Sequence, residues 1–215
     1  MIGAVAVANA VPFTFSNISN NSGQAPQLAG QLSVDVTASG SRALFSFLNN
    51  GPISSSITAV YFDDANGSAA TLASIYRLID RDYPSQGGSP GVDFSSGATP
   101  PNLPGGNGLT PSFSSNLSTD SASPVQPLGV NPGEWLGVVV NLLNGHTLSQ
   151  TIAALQDGSL RIGIQVQAIG TSGQSDAFVN APPPRPTGVP DASTTAMLLG
   201  VALLGLEGLR RRMAK

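Results

Sequence analysis

The chain has 215 residues, only 10% of them charged, with 25 Gly, 17 Pro, no Cys and a single His, His146. These counts exclude a disulfide scaffold, a zinc–cysteine site, a thiol nucleophile, a redox dithiol and catalysis by a histidine pair. A hydrophobic fraction of 40% is enough for a core, and a formal net charge of -3 argues against a nucleic-acid partner, which needs clustered Lys and Arg.

Residues 1–10 read as the end of a secretory signal peptide. Ala8-Asn9-Ala10 fits the small-x-small cleavage pattern, with Ala8 and Ala10 as the small residues and Val11 as the mature start. The positively charged segment that normally precedes the apolar stretch is missing. Either the gene start is placed too late or these residues begin a first strand.

From 11 to 180 the texture is all-β. Val11 to Phe15 alternates, and Leu32, Val34 and Val36 alternate with Ser33, Asp35 and Thr37. The apolar and aromatic run from Arg42 to Leu48 ends at the turn signal Asn49-Asn50-Gly51-Pro52. Ile57 to Phe62 is a further strand, closed by Asp63-Asp64-Ala65-Asn66-Gly67. Thr71 to Asp82 carries Leu72, Ile75, Leu78 and Ile79 and is either a helix or an irregular strand. From 84 to 132 Gly, Pro, Ser and Asn dominate, which reads as a long surface excursion with short strands near 92–94 and 125–130. Trp135 to Leu143 is a long apolar run broken at Asn144-Gly145. Leu148, Ile152 and Leu155 stand at i, i+4 and i+7, so a short helix is expected there, capped by Thr147 or Ser149 and ended by Asp157-Gly158. Leu160, Ile162, Ile164 and Val166 alternate with polar residues and Gly163. A period of two buries one face of a strand and wets the other. The sum is an all-β domain, a β-sandwich of antiparallel strands with one or two short helices.

The region after 180 differs in kind. Residues 181–188, Ala-Pro-Pro-Pro-Arg-Pro-Thr-Gly, form a stiff spacer, because consecutive prolines prefer an extended conformation. Val189-Pro190-Asp191 follows, then an almost unbroken apolar stretch over 192–209. Eighteen residues span about 27 Å as a helix, at the short end of what a bilayer core requires. Arg210-Arg211-Arg212 comes next, with Lys215, the only lysine, close behind. Such a basic block stays cytoplasmic and would stop the transmembrane helix, leaving residues 11–180 on the outer side. Ahead of Pro190 the chain is weakly acidic, formally -5, so an acidic body ends in a basic tail.

Val189-Pro190-Asp191, the small residues that start the apolar stretch, its Leu198-Leu199-Gly200 and Leu203-Leu204-Gly205, and Arg210-Arg211-Arg212 resemble the PEP-CTERM sorting tail. The nearest form is its VPDSG-type variant. Val189, Pro190 and Asp191 match that motif, Ala192 and Ser193 stand where the variant has Ser-Gly, and Glu207 interrupts an otherwise apolar span. The resemblance covers residues 189–215. It implies export across the inner membrane of a Gram-negative bacterium and transient anchoring there. It also implies cleavage by an exosortase near the proline motif. The mature protein would then pass to the cell surface or to an exopolysaccharide matrix. The strands ending in Ser175 to Asn180 resemble, more weakly, small β-sandwich domains found ahead of such tails.

Nothing in the body forms a catalytic signature, and no cofactor motif is present. His146 lies in a turn, with no Gly-x-Ser-x-Gly elbow anywhere in the chain. Asp63, Asp64, Asp80, Asp82, Asp93 and Glu134 are carboxylates from which a glycan-hydrolysing pair could come. Asp63, Asp64 and Asn66 are candidate calcium ligands or plain solvated turn residues. Trp135, the only tryptophan, is either a core residue or a platform for stacking a sugar. The expected function is that of a non-enzymatic exported surface or matrix protein. A carbohydrate-binding or calcium-dependent lectin-like module is the alternative and a glycan-active hydrolase the third.

Overall fold

The computed structural model describes residues 10–64, 70–80 and 91–181. The chain divides into two compact units, Met1–Pro183 and Pro184–Lys215, and every described residue belongs to the first. Its strands are β1 (Val11–Asn17), β2 (Leu32–Ser39), β3 (Arg42–Asn49), β4 (Ser56–Asp63), β5 (Leu72–Asp80), β6 (Phe94–Ser96), β7 (Leu117–Ser121), β8 (Trp135–Leu142), β9 (Arg161–Ile169) and β10 (Gln174–Ala181). Two α-helices, α1 (Ala25–Ala29) and α2 (Leu148–Asp157), and one 3-10 turn, Gly106–Gly108, complete the described elements.

The strands form one antiparallel sheet in the order β5-β8-β3-β2-β1-β10-β9-β4-β7-β6. A twisted sheet of ten strands curls on itself, because burying one apolar face requires another to meet it. Phe45 of β3 and Phe62 of β4, far apart in the strand order, meet edge to face with ring centroids 5.0 Å apart. The expected two-sheet sandwich is therefore realised as a single, nearly barrel-like sheet. Its halves pack face to face, but β1 pairs with both β2 and β10 and makes them continuous. The two edge strands, β5 and β6, come close to each other without pairing. Two register shifts in β5 and the three-residue length of β6 blunt those edges against pairing with another chain.

The alternations seen in the sequence produce the core. Leu32, Val34 and Val36 of β2, Phe45 and Phe47 of β3, Leu136, Val138 and Val140 of β8, and Ile162, Ile164 and Val166 of β9 are all buried together. β4 is buried along its whole length because both its faces are covered. Ile57, Val60 and Phe62 face the main core, while Ala59 and Tyr61 join a second cluster with Leu103, Phe113, Ala177 and Val179. That second cluster explains the long Gly- and Pro-rich excursion. Residues 97–116 fold back over the outer face of β4, β9 and β10, and Pro100 O accepts from the Tyr61 hydroxyl at 3.2 Å. Gly163 makes the approach possible, since a Cβ there would stand 2.6 Å from Leu103 Cδ2.

The helix expected after Thr147 is α2. Thr147 caps it through a reciprocal capping box with Gln150, and Gly158 ends it at φ 83°. Residues 72–80 take the irregular-strand form. Around 125–130 the chain turns instead of pairing, and only Val130 forms a bridge, to Ile57. Residues 1–9 and the expected transmembrane helix 192–209 lie outside the described residues; Ala10 is exposed just ahead of β1. Among the described residues no helix is long and apolar enough to cross a membrane.

Candidate functional site

The acidic turn after β4 carries Asp63 and Asp64, two of the sequence-predicted ligands, and gives them different partners. Asp63, the last residue of β4, is paired with Arg161, its register partner at the start of β9. Arg161 also donates to the carbonyls of Pro111 (2.8 Å) and Ser112 (2.7 Å), so each of its three guanidinium nitrogens is engaged. Asp64 turns the other way. Its Oδ2 accepts from the backbone N–H groups of Thr71 (2.7 Å) and Leu72 (2.6 Å), which fixes the start of β5. Burial pushes the Asp64 carboxyl above the usual range. Those two N–H groups and the nearby His146 pull it back in part, and Asp63 adds to the rise. Asn66 lies outside the described residues, and no group of three His, Asp or Glu able to hold a metal ion occurs among them.

The other carboxylates are dispersed. Asp93 is exposed just before β6. Glu134 is buried before β8, where its Oε2 accepts from Asn131 N (2.9 Å) and Asn131 Nδ2 (3.0 Å). The side chain of Asp80 and all of Asp82 lie outside the described residues.

Asp176 is a carboxylate that sequence reasoning passed over. It is buried in β10. Ser19 Oγ donates to its Oδ1 at 2.8 Å and Asn21 N to the same oxygen at 2.5 Å, and both the N–H and hydroxyl of Ser22 donate to Oδ2. Burial alone would raise its pKa, but these donors, Ser22 foremost, hold the carboxyl below the usual range. A carboxylate so saturated clamps the 18–22 loop onto β10. No local pattern announces it, since its partners stand more than 150 positions away.

Two aromatic residues mark the outer face of β3, β8 and β5. Trp135 is half-buried on that face and not in the core, with its ring edge over Gly137 beside Leu44 and Ile79. Tyr76 is exposed, and the Arg42 guanidinium stacks on its ring at 3.6 Å from the centroid. Asn141 Oδ1 accepts from Arg42 Nε at 2.7 Å and steadies that stack.

His146 differs from an exposed turn residue. It is half-buried, and its Nδ1 is sealed from solvent.

The sorting-tail residues, Val189, Pro190, Asp191 and the arginines Arg210, Arg211 and Arg212, lie outside the described residues. They fall within the stretch 188–213 that matches the family model of the VPDSG-CTERM motif. Neither the curated proteins nor the solved structures compared with the chain give a match. The β-rich body is thus followed by a PEP-CTERM-type sorting tail of the VPDSG kind, the mark of an exported protein sorted through its tail.

Proposed function

We propose that the protein is a non-enzymatic component of the cell surface or extracellular matrix, held in the inner membrane by its tail until an exosortase-like enzyme releases it. The carrying observation is the motif match over 188–213 directly after a proline-rich spacer. The physics agrees with the order of parts. Pro190 prevents a helix from continuing back through Val189, so the segment outside the bilayer stays extended and open to a protease. The basic block at 210–212 holds the other end on the cytoplasmic side. Glu207 lies one turn from Arg210 and Arg211 in sequence, where a helix would bring the charges together. The engagement of Asp63 by Arg161 and of Asp176 by four donors supports a structural role for these carboxylates over a catalytic one.

The test is mass spectrometry of the mature C-terminus in the native host. The expected product ends close to Val189-Pro190-Asp191. A surface-located protein that still carries residues 191–215 overturns the cleavage and leaves a plain anchor.

One observation favours a second reading, a carbohydrate-binding body. Trp135 lies on the outer sheet face above Gly137, where an indole can stack on a sugar ring. Binding on a glycan array that is lost in Trp135→Ala would support it, and silence across the array would reject it.

A further inference from the structure

Arg42, Arg77 and Arg161 are the arginines among the described residues, and of these only Arg161 is in an ion pair there. Arg42 of β3 and Arg77 of β5 share the outer face of β3, β8 and β5. Strand β8 sets their rows: Arg42 is in register with Asn141, and Arg77 with Val139. Two residues along and two strands across place their Cα atoms about 12 Å apart. The register shift between Ile75 and Arg77 makes Tyr76 the extra residue of a bulge, and bulges re-aim side chains. Tyr76 is thereby presented on the same outer face, 54% exposed, with the Arg42 guanidinium stacked on its ring.

Arg42 is held in place by the fold itself. The Tyr76 ring supports one side of the guanidinium, with 3.6 Å to the centroid. Asn141 Oδ1 accepts from Nε at 2.7 Å, and Asn141 Nδ2 donates in turn to Ser74 Oγ at 3.0 Å. Among the described residues nothing accepts from the two terminal Nη nitrogens of Arg42, and no carboxylate is paired with Arg42 or Arg77. Asp35 of β2 shares this face, but it is in register with Ser46, four residues along β3 from Arg42 and so about 13 Å away. Salt screens exposed charges at that separation. A surface arginine ordinarily loses rotamer freedom when it binds; here the stack and the Asn141 bond have already removed much of it.

We propose that this face binds an acidic polysaccharide, with the carboxylate of one uronate residue in the Arg42 fork, its ring against Tyr76 and a further carboxylate of the same chain at Arg77. The inference deepens the carbohydrate-binding reading of the body, on which it rests, and gives it a ligand class. A planar guanidinium with its terminal N–H groups open matches a carboxylate through two parallel hydrogen bonds. The exposed part of the Tyr76 ring offers the C–H side of a pyranose an apolar surface, and its hydroxyl offers a hydrogen bond. Two unpaired cations in separate rows of an open sheet suit a repeating polyanion better than a single small anion. The body is otherwise weakly acidic, so a polyanion is drawn to this face and repelled elsewhere on it.

The full chain, kept in neutral detergent, is titrated by calorimetry with polygalacturonate, with polyglutamate and with neutral dextran. The basic tail adds the same background to every variant, so differences between variants are what is read. Polygalacturonate affinity should fall at least about 10-fold in Arg42→Ala, the loss expected of hydrogen bonds to a charged group. Arg42→Lys keeps the charge but loses the fork and the stack, and should fall nearly as far. Tyr76→Ala should weaken binding too, and Arg77→Ala should weaken it and flatten its salt dependence. These side chains are exposed or half-buried, and unchanged melting temperatures will show that the variants fold. Equal affinity of the wild type and Arg42→Ala overturns the proposal. So does full affinity in Arg42→Lys, which would leave charge without geometry. An equal Arg42→Ala loss toward polyglutamate overturns the assignment to a polysaccharide. The two readings fail separately. Dextran binding lost in Trp135→Ala, with polygalacturonate affinity unmoved by Arg42→Ala, keeps the carbohydrate-binding reading and rejects this one; silence toward every polysaccharide rejects both.

Discussion

At the scale of single residues, two buried ionisable groups contribute to stability at opposite ends of the pH range. Asp176 has a folded-state pKa below its unfolded value of about 3.9. Its contribution is therefore fully present above that unfolded value and is lost as pH falls through the folded one. Hydrogen bonds to a charged group contribute about 1.5–3 kcal/mol each before non-additivity. We expect Asp176→Asn to destabilise the body by about 2 kcal/mol at neutral pH, within the same range. Melting temperature measured from neutral pH down to acid should fall less steeply in the variant than in the wild type; parallel curves would refute the assignment. Tyr61 works in the other direction. Burial, helped by the charge of Asp120, pushes its phenol up to about 12. The unfolded chain ionises first, near pH 10, so the stabilising contribution is whole below that value and drains away as pH rises toward 12. In an ultraviolet titration of the three tyrosines, one should ionise late. Tyr61→Phe should remove that late phase and flatten the alkaline fall in stability.

At the scale of elements, what could be read from the sequence was whatever had a period or a local chemistry. The alternation of Leu32, Val34 and Val36 gives β2, and that of Ile162, Ile164 and Val166 gives β9. Thr147, Gln150 and Gly158 carry both ends of α2 in neighbouring residues. Helix α1 was not legible, because five residues show no helical period, and only Ala25 and Leu28 are fully buried. β7, Leu-Ser-Thr-Asp-Ser, reads as a loop, yet it becomes a strand because β4 offers it an unpaired edge. The role of residues 97–116 was equally hidden. Their Leu103 and Phe113 find an apolar surface only after the sheet exists. Gly163 shows how tightly that cover fits, since an added Cβ would also stand 3.1 Å from Phe113 Cζ. Gly163→Val should push Leu103 and Phe113 off the sheet at a cost of about 1–3 kcal/mol, typical of overpacking. Limited proteolysis should then cut within residues 97–116 well before the rest of the body. Cleavage at the wild-type rate would mean that the loop is not seated by this contact. At the candidate site, the acidic turn was legible as Asp63-Asp64, but its division of labour was not. Only tertiary structure could commit Asp63 to a residue 98 positions away and bring His146 toward Asp64.

At the scale of the whole molecule, the strand order says when the body can finish folding. The first and last strands, β1 and β10, are neighbours in the middle of the sheet, with Thr14 opposite Ala181. Every strand on one side of that seam belongs to β5, β8, β3, β2 and β1, and every strand on the other to β10, β9, β4, β7 and β6. Until β10 is in place, β1 and β9 each present an unpaired edge, and Asp176 is absent from the clamp on the 18–22 loop. Pairing of such sequence-distant strands comes at a high loop-closure cost and is characteristically slow. Among the described residues the last strand ends at Ala181, and the ten-strand order is built from residues 11–181. A chain ending at Pro183 should therefore fold with the circular dichroism spectrum and melting temperature that the body has in the full protein. A chain ending at Gly173 should show no cooperative melt, because two central edges and the Phe178 core position are lost together. Folding of the shorter chain would show that the β1–β10 seam is dispensable. A lowered melting temperature in the longer one would show that the tail unit contributes to the stability of the body. The expected outcome suits the proposed release of the tail, since the ten described strands keep their pairings without it.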